Sequence, residues 1–283
     1  MSVSKKGLAL LAALVLALSM ALVGCGGGSK GAAETPPPAT GDTPAPAPEE
    51  GLATIESGKI LVGSDCDYPP FIYMEGDQVA GFEYELALAI GADLGYTVEY
   101  LPPQNFDTLI ASVAAHSKMD IGFSSFTITD ERKELVDFSI PYFDSNQACV
   151  VMKGSSYAST NDLAGLTVGA QSGTTGESWA AENIPDATIK GYNQTSEALA
   201  ALVAGDVEAI FFDEPVAVEQ VETTYTDCEI IEVIPTGEQY GIAVSKDNPA
   251  LLDAINTSLQ KLIADGTYAT LFSKYFDFEP TIK

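Results

Sequence analysis

The chain has little positive charge: thirteen lysines and arginines stand against forty aspartates and glutamates, for a net charge of −27. Binding to phosphate backbones needs clustered Lys and Arg, so nucleic acid and anionic lipid are excluded as partners of a folded body this acidic. Histidine is nearly absent, with only His116, and that residue stands in no pairing with a nucleophile that would suggest acid–base catalysis. The cysteines Cys25, Cys66, Cys149 and Cys228 form no Cys-x-x-Cys and have no histidine at metal-ligand spacing, so no metal site and no cofactor are expected. Long apolar runs are missing too, with one exception at the N-terminus.

That exception runs from Gly7 to Val23 behind Lys5 and Lys6 and carries no charge. It falls short of the ~20 residues that span a bilayer and leads into glycines rather than a basic flank, so residues 1–24 read as an export signal. The run ends in Leu22-Val23-Gly24-Cys25, which resembles the lipobox of bacterial lipoproteins, in which the cysteine is diacylated and becomes the new N-terminus. Two acyl chains anchor stably where one, at ~0.8 kcal/mol per buried CH₂, does not. From residue 26 to about 53 the chain is mostly Gly, Ala, Pro and Thr with almost nothing apolar, including Pro44-Ala-Pro-Ala-Pro48. Such a composition buries too little to fold and reads as a stiff spacer. Three cysteines remain beyond the anchor. Their spacing does not choose a disulfide pair among them.

The remaining roughly 230 residues suffice for one large core or two lobes. Ile60-Leu-Val-Gly63 reads as a strand, then a proline-rich loop, then a helix over Phe82–Leu94 closed by Gly95. The same grammar returns as a helix from Phe106 to Val113 and a strand from Met119 to Phe123. It returns again as a helix from Ser196 to Ala204 and a strand from Val207 to Phe212. Alternation of this kind predicts an α/β fold with largely parallel sheets, in which ligands sit at the carboxyl ends of strands. Asp65, Ser124, Ser125, Gln171, Ser172 and Asp213 follow directly on strand-like runs and should converge. Asn248-Pro249 reads as N-cap and first residue of a terminal helix. The stripe Leu252, Ile255, Leu259, Leu262 and Ile263 and the aromatics Tyr268, Phe272, Tyr275 and Phe276 read as core.

Thr129 can cap a helix whose first turn, Asp130 and Glu131, suits the positive end of the dipole; Arg132 does not. A cation in that place wants a ligand, and arginine grips a carboxylate with two bonds worth about 1.5–3 kcal/mol each. Ser172-Gly-Thr-Thr175 before another helix offers N–H groups to an anion, and Asp213 offers the opposite charge to an ammonium.

These segments resemble the amino-acid-binding family of solute-binding proteins that feed ABC importers. The resemblance covers about residues 58–280 and rests on Asp65 with Tyr68-Pro-Pro-Phe71, Gly81-Phe-Glu-Tyr-Glu-Leu86, Phe126-Thr-Ile-Thr-Asp-Glu-Arg132, Asp137-Phe-Ser-Ile-Pro-Tyr142, Gln171-Ser-Gly-Thr-Thr175, Ala209-Ile-Phe-Phe-Asp213, Tyr240-Gly-Ile-Ala243 and Asp265-Gly-Thr-Tyr268. It implies a two-lobed periplasmic-binding-protein-like fold of type II, with lobe 1 at residues 54–147 plus 240–283 and lobe 2 at 148–239. Two hinge strands would join them over a ligand cleft. It implies that Arg132 takes an α-carboxylate with N–H groups of Thr127, Thr174 and Thr175. It implies that Asp213, the Ser125 carbonyl and the Thr127 hydroxyl take the α-ammonium, and that Asp65, Tyr68 and Phe106 line the side-chain half.

A polar or basic amino acid is the expected ligand, since Asp65 can accept from an amide, imidazole, guanidinium or ammonium. An importer's membrane subunits are the expected partners of a monomeric, lipid-anchored receptor. Glu83 and Glu85 depart from the family's aspartate pair and read as structural or surface positions, while Cys66 between Asp65 and Asp67 is unusual. The competing readings are a dehydratase-type enzyme on the same fold, for which His116 reads as a surface residue, and a sensory module, which would carry a membrane helix and a signalling domain.

Overall fold

The computed structural model describes residues 51–283; the signal at 1–24, Cys25 and the spacer as far as residue 50 lie outside the described residues. The body holds two five-stranded sheets, each behind its own set of helices, and one small three-stranded sheet.

Lys59–Gly63 is apolar and buried over four of its five positions, as a strand covered on both faces should be. It pairs in parallel with Thr97–Tyr100 on one side and Ile121–Gly122 on the other. Ala243–Ser245 continues the sheet antiparallel to Ile121–Gly122, and Val136–Phe138 closes it. The helix Phe82–Leu94 buries Phe82, Leu86 and Ile90, and ends where Gly95, at φ 75°, turns its N–H back to Ala92 and Gly91 carbonyls. Pro249–Ala264 begins under the Asn248 side chain, which accepts from the Leu251 N–H at 3.3 Å. Behind these helices Phe71, Phe82, Phe143, Tyr268, Phe272 and Phe276 form an aromatic core, with Phe71 edge-on to Phe143 at 4.7 Å. Offset and edge contacts of this kind suit the ring quadrupoles.

The second sheet runs Thr188–Tyr192, Thr167–Gln171, Ala209–Asp213, Phe143–Met152, Cys228–Tyr240. Its first three strands are parallel and its last two antiparallel to their neighbours. Helices Thr175–Asn183, Thr195–Ala204 and Glu214–Thr223 follow the parallel strands.

The two long strands Phe143–Met152 and Cys228–Tyr240 carry the chain out of the first lobe and back. They pair from Phe143 opposite Tyr240 to Met152 opposite Cys228, with register shifts between Ile230 and Glu232 and between Ile234 and Glu238. Such irregularities bend a ribbon and end its pairing with one sheet. Gln147 sits mid-strand in the second sheet, opposite Asp213 on one side and Ile234 on the other.

Three sequence expectations shift. The segment after Asp65 is not simply a loop: Asp67–Tyr68, Ile72–Glu75 and Gln78–Ala80 form an antiparallel sheet. Gly76 at φ 63° makes its tight turn, a conformation that glycine adopts without steric cost. The strand expected from Met119 to Phe123 shortens to Ile121–Gly122, because only that pair reaches both neighbours. The spacer's last residues are docked: the Ala53 carbonyl accepts from Asn248 Nδ2 at 2.7 Å, and Leu52 packs on the core. No described helix is long and apolar enough to cross a membrane.

Candidate ligand-binding cleft

Asp65 lies two residues beyond the end of one strand, Gln171 and Asp213 end two others, and Ser124 and Ser125 follow a fourth. Parallel strands of each sheet thus deliver their carboxyl ends to the face between the lobes. The eleven residues expected as ligand contacts, Asp65, Tyr68, Phe106, Ser124, Ser125, Thr127, Arg132, Gln171, Thr174, Thr175 and Asp213, line one cavity there, of about 20 Å³, while Ser172 does not reach it. The lobes are in direct contact across it. Gln171 Nε2 donates to Asp65 Oδ2 at 2.8 Å, Tyr68 OH donates to Asp213 Oδ2 at 2.8 Å, and Arg132 Nη2 donates to the Gly173 carbonyl at 2.9 Å.

Arg132 is the only arginine in the chain. Thr129 caps the helix Asp130–Leu135 by accepting from the Arg132 N–H, and the guanidinium folds back off that helix into the cleft. Nη1 donates to the Thr127 carbonyl at 2.8 Å, and the rings of Phe106 and Phe126 lie 5.4 and 5.8 Å from its carbon. Phe106 stacks on Phe126 at 5.1 Å, so this pair forms the shelf that fixes the fork. Burial lowers the Arg132 pKa, and the attraction of Asp213 and Glu238 opposes that shift. The oriented cation keeps guanidinium donors beyond those two carbonyl bonds, which suits it to a carboxylate.

Opposite stands Asp213, buried and fed by three donors. Tyr240 OH gives at 2.6 Å and Tyr68 OH at 2.8 Å to Oδ2, and Gln147 Nε2 gives to Oδ1. Its pKa is pushed up to about 7, first by burial and next by Glu238, against the pull of these donors. Asp65, 3 % exposed, accepts from Ser124 Oγ at 2.7 Å and from Gln171, yet burial still raises its pKa. Among the described residues, Asp65, Asp213 and Glu238 make no ion pair. One cation faces three carboxylates, so the site as a whole favours a solute with positive charge to spare.

Sequence reasoning missed four residues that build this site. Glu238 accepts from Thr127 Oγ1 at 2.7 Å and Thr175 Oγ1 at 2.8 Å on a single oxygen, so the Thr127 hydroxyl expected to meet an α-ammonium donates to Glu238. Gln147 and Tyr240 hold Asp213 from the hinge strands. Glu83, fully buried, accepts on one oxygen from Ser125 N–H at 2.9 Å, Ser125 Oγ at 2.7 Å and Tyr142 OH at 2.6 Å. It clamps Ser125 at φ 49°, a left-handed backbone that costs a non-glycine residue about 1–2 kcal/mol. Glu83 is therefore a structural position and not a surface one, whereas its companion Glu85 meets Lys274 and Tyr275 near the surface.

Other expectations resolve away from the cleft. His116 is half-buried rather than a free surface residue, with Nε2 3.5 Å from Asp120, the carboxylate that accepts from the Ile55 and Leu61 N–H groups. Cys66, Cys149 and Cys228 are free and buried, so none pairs with another. Burial pushes the Cys66 thiol up to about 11, which leaves it unreactive as a nucleophile.

A family model of bacterial extracellular solute-binding proteins, family 3, matches residues 60–278. The chain belongs to that family. It is 32% identical over 238 residues to the L-cystine-binding protein TcyJ of Escherichia coli (strain K12), a match covering 82% of this chain and 89% of that protein. Among solved structures, an ancestral arginine-binding protein bound to arginine is 39% identical with a TM-score of 0.73, over 77% of this chain and 98% of that one. The ancestral amino acid-binding protein AncCDT-1, a precursor of cyclohexadienyl dehydratase, is 36% identical with a TM-score of 0.72, over 78% and 96%. Its family 3 relatives are amino-acid-binding proteins of ABC transport systems, and the two-lobed fold described above is theirs.

Proposed function

We propose that this protein is a lipid-anchored receptor that captures one polar or basic amino acid between its lobes and delivers it to an ABC importer. The observation that carries the reading is the cavity itself, in which the chain's only arginine faces Asp213 while Asp65 closes the far end. Arg132 takes the α-carboxylate, Asp213 the α-ammonium, and Asp65 the donor at the end of the side chain. Tyr68 and Phe106 stand as walls beside them. A cationic side chain fits best, because the surplus of carboxylates over cations around the cleft is then reduced on binding. A relative named for arginine supports a cationic side chain, and one named for cystine supports the wider polar class.

Cys25 and the proline spacer tether the body near its importer at high effective concentration. The receptor acts as a monomer. Catalysis is the weaker reading: the dehydratase precursor among its structural neighbours keeps it in view, but no histidine or cysteine lines the cavity. A thermal-shift screen of the twenty amino acids with ornithine and cystine tests the proposal. A ligand at 100 times its Kd adds ~2.7 kcal/mol, which moves the midpoint of a body this size by about 5–10 °C. No shift with any of them would refute the amino-acid reading.

A further inference from the structure

Beside the ligand cavity the lobes meet at a second place, lined by Cys66, Asp67, Pro69 and Tyr73 from the first lobe and Gln194, Thr195, Ser196 and Leu199 from the second. Cys66 stands at φ 51°, its N–H donating to Ser64 Oγ at 3.2 Å. This left-handed residue separates two carboxylates with different destinations: Asp65 lines the ligand cavity, and Asp67 reaches the other lobe. There Asp67 Oδ2 accepts from the Ser196 N–H at 2.9 Å.

Ser196 is the second residue of the helix Thr195–Ala204, whose N-cap, Gln194, makes no side-chain cap bond. The first-turn N–H groups of a helix have no partner within it and carry its positive end. By contrast, the helix Thr175–Asn183 in the same lobe is capped by its own Thr174. No ion pair explains the Asp67 contact, since the first-turn charge beside it is Glu197, of the same sign, which accepts from the Asn193 N–H at 3.2 Å.

We infer that Asp67 sets affinity from outside the ligand cavity, as a helix cap supplied by one lobe to the other and made only while the lobes are together. The inference rests on the proposal that the lobes part to admit an amino acid. Parting them returns the Asp67 carboxylate and the Ser196 N–H to water, so the contact favours the closed form alone. Apparent affinity scales with the closed fraction, and a typical N-cap is worth about fivefold in that equilibrium. Asp67 is thus a positioning residue that touches no ligand atom.

The test uses Asp67→Ala, Ser196→Pro and the double variant, with the amino acid that gives the largest thermal shift. Proline removes the Ser196 N–H at a first-turn position, a place where the helix Glu214–Thr223 already carries Pro215. Each single variant should raise Kd about fivefold through faster release, with association unchanged, and the double variant should be no weaker than either single one. A Kd within twofold of the parent for Asp67→Ala, or additive losses in the double variant, overturns the inference. Small-angle scattering of the protein without amino acid reads the same equilibrium independently of any ligand. Asp67→Ala should raise the radius of gyration, and a parent that is compact without ligand and stays equally compact in Asp67→Ala overturns the inference even if the thermal screen finds no ligand.

Discussion

Between pH 5 and pH 8 the affinity for an amino acid should rise with pH, with Asp213 as the cause. Its carboxyl group, ordinarily at 3.8, is pushed up to about 7, chiefly because it is buried and then because Glu238 stands near. A neutral acid cannot pair with an ammonium as a carboxylate does, so binding selects the ionised form. At pH 5 only about one molecule in a hundred is ionised, so Kd should fall about tenfold per pH unit and level off above about 7. The free energy behind this is on the order of 4 kcal/mol, which the ligand's ammonium must offset.

The sign for folding is the reverse. Between about 4 and about 7 the folded chain holds a proton that the unfolded chain releases, so without ligand this group's contribution to stability is full below 3.8 and is lost as pH rises through about 7. Calorimetry from pH 5 to 8 in buffers of different ionisation enthalpy measures both Kd and the protons released, close to one at pH 6. Asp213→Asn should bind weakly at every pH and show no slope. Glu83 also titrates at about 7, raised by burial, but it lies behind Ser125. A slope that survives in Asp213→Asn would transfer the effect to Glu83, and a flat Kd in the parent protein would refute the assignment altogether.

Two further substitutions probe the cleft. Arg132→Ala removes two charged bonds at about 1.5–3 kcal/mol each, so binding should weaken by about 10²- to 10⁴-fold with circular dichroism unchanged; retained affinity by calorimetry sinks the carboxylate role. Gly173→Ala would put a Cβ 2.9 Å from Asp107 Cα across the cleft, at a φ of 80°. It should weaken binding at least tenfold by wedging the lobes apart, while lowering the ligand-free melting midpoint by only a few degrees; parental affinity would show that the lobes need not approach so closely.

Much of this architecture is legible along the chain because its signals are local. Phe82–Leu94 begins and ends where its periodicity and Gly95 place it, and Thr129 and Asn248 cap the helices they precede. Asp65, Gln171 and Asp213 could be picked out because a strand's carboxyl end is marked by the residue that stops it. What escaped is long-range. Gln147 finds Asp213 across 66 residues, and Glu83 finds Ser125 across 42, and no local pattern distinguishes either from an ordinary polar residue. Glu238 was hidden for another reason: the register shift after Ile234 turns it toward Thr127 and Thr175, and a strand's alternation does not announce a bulge. The small sheet after Asp65 was obscured by Pro69 and Pro70, which pointed to an open loop.

The partners already engaged across the cleft give selectivity an unusual origin. Asp65 is held by Ser124 and Gln171, Asp213 by two tyrosines and Gln147, and Arg132 by two carbonyls. A guest bound as proposed does not fill bare valences but displaces hosts, and each displaced group must then be matched in kind. A solute whose side chain lacks a donor would strip Asp65 of Gln171 and leave a buried carboxylate with too few partners, a loss of about 1–3 kcal/mol or more. Discrimination among amino acids of similar size therefore lies less in what the right one gains than in what the wrong one leaves undone.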